Sequence, residues 1–284
     1  VSTKELIQGV TDMLGQTPPH PIRIEKVSPK IFERNIAYQI ERHYPQPLRS
    51  ARAKAFSILG LLPENIDWID ILTGFELSTG VAHPDPSGQR VLVLDSVPFD
   101  HPYVRLNVVG AISDAHFFQK MQKGKAIAPS TASKNEDMRR AEESLRHGIR
   151  KTIIRRYATA KSISPKIPPP AGFIPGGKQF PGTTLLNRWY TLPGFVGPFF
   201  IDFLVGPTGP LSDLESAFQR PPSTMMEFLR PMWYKDMSRW DRKPVPENFA
   251  DSFMDTPPTL TDVLGIGGLI PWLAQPNSSY MARS

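Results

Sequence analysis

Proline sets the first limit on what this chain can become. It supplies 31 of the 284 residues, about twice ordinary usage, and most of it lies after residue 160. A stretch such as "SPKIPPPAGFIPGGKQFPGTT" offers too few backbone N–H donors and too fixed a φ to be a helix or a central strand. Long coil wrapped over a surface is the expectation for residues 162–184. Regular structure must then come from the segments on either side.

Those segments are helix-rich. Apolar residues at helical spacing predict helices over Ile31–His43, Pro47–Leu59, Ile66–Thr79, Tyr103–Gln122 and Glu136–Lys161, after a short amphipathic stretch, "TKELIQGVTDML". Further helices are expected at Leu185–Leu204, interrupted at "GP", and at Leu211–Gln219. Between the third and fourth predicted helices, "GVAHPDPSGQRVLVLD" places a Pro/Asp/Ser/Gly turn between two extended runs, which reads as a β-hairpin with an exposed tip. The expected fold class is α+β, mainly helical, with a small β-hairpin or sheet, Pro-rich coil and a C-terminal extension. Its expected organisation is an N-terminal segment 1–27, a body 28–249 and an extension 250–284.

Composition excludes several chemistries. There is no cysteine, so disulfides, thiolate metal sites and cysteine nucleophiles are ruled out. Hydrophobic residues make up 40% and charged residues 21%, as in a soluble globular chain. No apolar run reaches the eighteen residues a transmembrane helix needs. No G-x-S-x-G elbow occurs, and "GPTGP" and "PGG" match neither a Walker loop nor a dinucleotide fingerprint. The chain starts at Val1 without an initiator Met or signal sequence, which reads as a processed mature form. With the lack of cysteine, this points to an organelle such as the chloroplast, or to an extracytoplasmic setting.

The net charge of +6 is local in origin. Twelve Lys or Arg against four Asp or Glu fall between Lys120 and Lys161. In the predicted helix 136–161, Leu145, Ile149, Ile153 and Ile154 form an apolar face, and Arg139, Arg140, Arg146, Arg150, Arg155 and Arg156 spread over the others. A basic outer face of this kind suits an acidic protein or another anionic surface; nucleic-acid or ribosome association is an alternative. The extension carries Leu264, Ile266, Leu269, Ile270, Trp272 and Leu273 without amphipathic order, and such a segment must bury its apolar residues on its own domain or on a partner. The arginines above, with Trp272, are the candidate partner-binding residues.

The words "LGLLPENID", "ELSTGVAHPDPSGQRVLVL", "LNVVGAISDAHF", "SLRHGIR" and "PPSTMMEFLRPMWY", in this order, resemble a family of zincin-like metallopeptidases found in bacteria and photosynthetic lineages. In that family the corresponding words run "LGLIPPDLD", "EQVAGYYDPETKTLYV", "HELTHALQDQHF", "ALIEGDA" and "PPTSTEQILHPEKY". The resemblance covers about residues 30–247, and Phe218 to Tyr234 is its most specific part. It implies a zincin-like helical body.

Aligned on Asp114-Ala115-His116-Phe117, the resemblance puts the first zinc histidine at Leu106, the general-base Glu at Asn107, the second histidine at Gly110 and the third ligand at His147. Zincin chemistry needs two imidazoles at i and i+4, a third ligand from a neighbouring helix and a carboxylate to deprotonate the metal-bound water. Leu106 and Gly110 have no donor atoms in their side chains. The expected function is therefore non-catalytic: a pseudo-metallopeptidase, with no cofactor or metal, serving as a structural subunit or scaffold among other protein subunits. A rearranged metal-dependent hydrolase using His147 with His83, His101 or His116 is an alternative; for His116 itself a structural hydrogen bond is the expectation.

Overall fold

The computed structural model describes residues 2–58, 62–63, 66–123, 136–164, 167–170 and 184–235. Most of the expected Pro-rich coil 162–184, the extension 250–284 and Trp272 lie outside the described residues. The fold is α+β and mainly helical, with one three-stranded sheet. No helix among the described residues is long and apolar enough to cross a membrane.

Helix α1 (Thr3–Leu14) begins with a capping box. The Ser2 hydroxyl accepts from the Glu5 N–H at 3.2 Å, and the Glu5 carboxylate accepts from the Ser2 N–H at 2.6 Å. Gly15 ends the helix with φ of 64°, a conformation that favours glycine. Leu6, Val10 and Leu14, one turn apart, are its buried face. Strand β1 (Arg23–Val27) follows; α2 (Pro29–His43), α3 (Gln46–Ile58) and α4 (Trp68–Thr79) lead to β2 (Ala82–Pro84) and β3 (Arg90–Leu94).

The hairpin is as the sequence reads, but β1 is an unanticipated third strand. It pairs parallel to β3, with Arg23 opposite Arg90 and Val27 opposite Leu94, and gives the order β1-β3-β2. Its sequence, "RIEKV", carries three charges in five residues, the habit of an edge strand held by backbone pairing. Residues 1–27 thus share the sheet and core of the body that follows.

The hairpin tip is only partly exposed: Gln89 faces solvent, while Gly88 is buried against α5 (Pro102–Lys123). Gly88, with φ of 69°, brings its backbone so close to the Ala115 carbonyl that a Cβ would collide with it. The Gln119 side chain donates to the Gly88 carbonyl at 2.7 Å and accepts from the His20 N–H at 2.7 Å. Asp85 closes the turn by accepting from the backbone N–H groups of Gln89 and Arg90, each at 3.1 Å.

Helix α6 (Glu136–Ala160) packs between α5 and α7 (Thr184–Val205). A 3-10 turn (Leu211–Leu214), α8 (Glu215–Gln219), α9 (Met225–Leu229) and α10 (Pro231–Lys235) complete the described chain, and α9 packs against both α6 and α7. The break expected in α7 at "GP" does not occur. Pro198 cannot donate to the Gly194 carbonyl four residues back, and Lys151 Nζ fills that role at 2.7 Å. Gly197 meets Gly148 of α6 backbone to backbone: a Cβ on Gly148 would lie 2.6 Å from the Gly197 carbonyl carbon. Side chains are excluded from that crossing, so glycine is required on both helices.

Candidate functional site

Every position that the metallopeptidase resemblance singles out lies on α5 or α6. Leu106 packs against the hydrophobic core. Asn107 donates from Nδ2 to the Tyr103 carbonyl, one turn back, at 3.0 Å. At Gly110 the missing side chain leaves room that α6 fills: a Cβ there would stand 2.8 Å from Arg150 Nε and 2.9 Å from Ile154 Cδ1.

Arg150 is held in that place by Asp114, one turn further along α5. The Asp114 Oδ2 atom accepts from Arg150 Nη1 at 2.7 Å and from Arg146 Nη1 at 3.0 Å, and Asp114 is 1% exposed. Its Oδ1 atom is buried without a hydrogen-bond partner. Two guanidiniums on successive turns of α6 therefore converge on one carboxylate of α5, a charge-assisted arrangement of the stronger kind.

His147 borders this cluster. Its Nε2 lies 3.3 Å from Arg146 Nη2; guanidinium can only donate, so Nε2 accepts and the ring proton sits on Nδ1. Burial, then the Arg146 charge, brings its pKa down to about 3, so the ring is neutral near pH 7. From α4, Glu76 faces the same groups, with Oε2 3.7 Å from His83 Nε2. Burial alone would raise the Glu76 carboxyl, but the adjacent His83 imidazole, Arg146 and His147 carry it down to about 2. The His83 Nδ1 atom lies 3.2 Å from the side-chain nitrogen of Gln39 on α2.

The site thus gathers the carboxyl groups of Glu76 and Asp114, a neutral imidazole acceptor and two guanidiniums between α4, β2, α5 and α6. Among the described residues, no group of three or more His, Asp or Glu side chains is arranged to hold a metal ion. Among the described residues, His101 and His116 do not converge here. His101 Nδ1 accepts from the Tyr103 N–H at 3.2 Å at the start of α5, and His116 Nε2 bonds to the Gln16 carbonyl at 3.0 Å. His116 is thus tied to the loop after α1, the structural role expected of it, and burial lowers its pKa.

The expectation of a basic outer face on α6 is corrected for four arginines. Arg139 and Arg140 are buried around Glu136, itself 0% exposed. Glu136 Oε2 accepts from Arg139 Nε at 3.1 Å and from Arg52 of α3, and Oε1 accepts from Arg140 Nε at 3.0 Å. Burial pushes the Glu136 carboxyl up, yet Arg52, Arg140 and Arg139 together hold it below its usual value. The Arg140 guanidinium stacks 3.4 Å from the Trp189 ring centre, and Arg52 faces Tyr44 at 5.1 Å. Arg146 and Arg150 are spent on Asp114. Only Arg155 and Arg156 remain toward the surface: the first pairs with Asp202 of α7 at 2.5 and 3.0 Å, the second donates to the Pro207 carbonyl at 3.3 Å.

Sequence reasoning missed Glu76, Asp114 and Glu136 as the partners of these cations. For Glu136 a local signal existed, since Arg139 and Arg140 follow at i+3 and i+4. For Asp114 there was none, because its arginines lie 32 and 36 residues away. No family model, no curated protein and no solved structure matches this chain.

Proposed function

We propose that the chain is a non-catalytic relative of the zincin-like metallopeptidases that serves as an accessory or structural subunit of a larger protein assembly. The observation that supports this reading most directly is Arg150 seated over Gly110. On the resemblance, Gly110 holds the place of the second ligand histidine, and its Cβ would begin 2.8 Å from Arg150 Nε. The first ligand position, Leu106, is committed to apolar packing, and His147 directs its Nε2 lone pair at Arg146. The positive charge that a metal would bring between the two helices is supplied by Arg146 and Arg150, which share the Asp114 carboxylate.

The subunit role draws on apolar surface left open on the body. Ile31 and Tyr38 of α2 are 55% and 54% exposed. Exposed apolar groups clustered on helix faces mark contact surfaces. Lys151, Arg155 and Arg156 are the cations α6 keeps toward the surface, and Arg155 is already paired with Asp202, so nucleic-acid binding through this helix has less to rest on than its sequence suggests.

Two measurements test the proposal. Gentle native purification from the source should yield the chain in a complex; elution as a lone monomer would overturn the subunit reading. Elemental analysis of the purified chain should find zinc well below one equivalent. A second reading, a hydrolase with a rearranged metal site, starts from His83 Nε2 lying 3.7 Å from Glu76 Oε2 and would need His147 to close on that pair. It predicts stoichiometric zinc that is lost in His147→Ala, a result that would sink the non-catalytic reading.

A further inference from the structure

The outer face of α7 carries Phe195, Phe199 and Phe203 at i, i+4 and i+8, one stripe about 12 Å long. Phe195 and Phe199 are 64% and 73% exposed. A cation marks each end: Lys151 Nζ lies 5.5 Å from the Phe195 ring centre, and Lys235 Nζ lies 4.6 Å from that of Phe203. An apolar ridge flanked by ammonium groups fits an apolar segment that carries carboxylates.

We propose that the occupant of this stripe is the chain's own segment 244–282. Three features point to it. The described chain stops at Lys235, at the Phe203 end of the stripe, so the segment is delivered to the ridge it would cover. From residue 244 to residue 282 the sequence holds four acids, Glu247, Asp251, Asp255 and Asp262, and no Lys or Arg, although the chain as a whole is basic. Its apolar words, "NFADSFMD" and "DVLGIGGLIPWLA", set side chains suited to Phe rings among or beside those acids. The residues between Lys235 and Pro244 span up to about 30 Å when extended, enough to reach either end of the stripe. Tethering gives such a segment an effective concentration in the millimolar range, an advantage over any free competitor. The inference does not depend on the absence of catalysis proposed above.

The test uses the full chain. Phe195→Ser/Phe199→Ser changes only exposed side chains; it should release the segment, so that chymotrypsin cuts within 244–282 about tenfold faster than in the parent chain. Equal rates would overturn the proposal. Carbodiimide cross-linking at submicromolar concentration, read by peptide mass spectrometry, should join Lys151 or Lys235 to Asp251, Asp255 or Asp262 within one chain. Cross-links found only between chains would assign the stripe to a second copy, and none at either lysine would leave the segment elsewhere; both overturn the proposal, whatever the double variant does.

Discussion

Helix α6 buries two clusters of arginine around a carboxylate, and they differ in what surrounds them. At its N-terminus, Glu136 sits among Arg52, Arg139 and Arg140 under the rings of Tyr44, Trp68, Trp189 and Tyr190. At its middle, Asp114 meets Arg146 and Arg150, whose side chains keep 13% and 17% exposure, with Glu76, His83 and His147 alongside. The first cluster is roofed by aromatic rings, and its charges serve the fold. The second is open at its edge and has a neutral imidazole beside it. Burial and charge pairing do not by themselves mark a functional site, nor does an acid–base group beside the pair, since Asp137 stands next to Glu136 as His147 stands next to Arg146; what separates the two clusters is the water that reaches the second.

This contrast can be broken in order of expected effect. Glu136→Ala leaves three guanidiniums buried without their carboxylate and should cost about 3–5 kcal/mol in urea unfolding, enough to unfold a marginal chain. Gly148→Ala, between Arg146 and Arg150 in the chain, forces a methyl group into the α6–α7 crossing and should cost about 1–3 kcal/mol by the same measurement. Asp114→Asn keeps the shape but removes the charge that both arginines face; because those arginines reach water, a loss of about 1–2 kcal/mol is expected. If Asp114→Asn proved as damaging as Glu136→Ala, the distinction between a structural and an open cluster would fall.

The clusters should also tilt in opposite directions with pH. His147 has a folded pKa of about 3 against an ordinary 6.5, so its contribution is complete above 6.5 and is lost as pH falls through that value toward 3. By pH 5.5 the loss should be roughly 1 kcal/mol, and absent in His147→Asn. Asp137, beside Glu136, has its pKa raised by burial to about 6 against an ordinary 3.8. Its contribution is complete below 3.8 and is lost as pH rises through 6, and Asp137→Asn should remove that loss. Unfolding midpoints followed from pH 4 to 7.5 read both slopes; parallel slopes in the two variants would contradict the assignment.

What the sequence made legible was what local spacing controls. Helices α2 to α6 lie within two residues of their expected ends, because apolar periodicity and turn residues are properties of neighbouring positions. Strand β1 was hidden, since a charged edge strand owes its existence to a partner more than sixty residues away. The docked hairpin tip was hidden for the same reason: Gly88 and Gln119 meet only in space. Periodicity assigned Arg139 and Arg140 to an outer face, and it failed because Trp189 and Glu136 solvate guanidinium better than an apolar stripe predicts. At the candidate site, Leu106, Gly110 and His147 were readable as an interface between two helices, while Arg150 as the plug was not.

The Gly148–Gly197 crossing carries a mechanical consequence. With no side chains between the two backbones, α6 and α7 are dovetailed there, and any side chain sliding into the crossing would collide with main-chain atoms. The phenylalanine ridge is on α7, and Glu136 with the two arginines that hold Asp114 is on α6, so a slide of α7 along α6 would meet those groups' own helix at the glycine crossing.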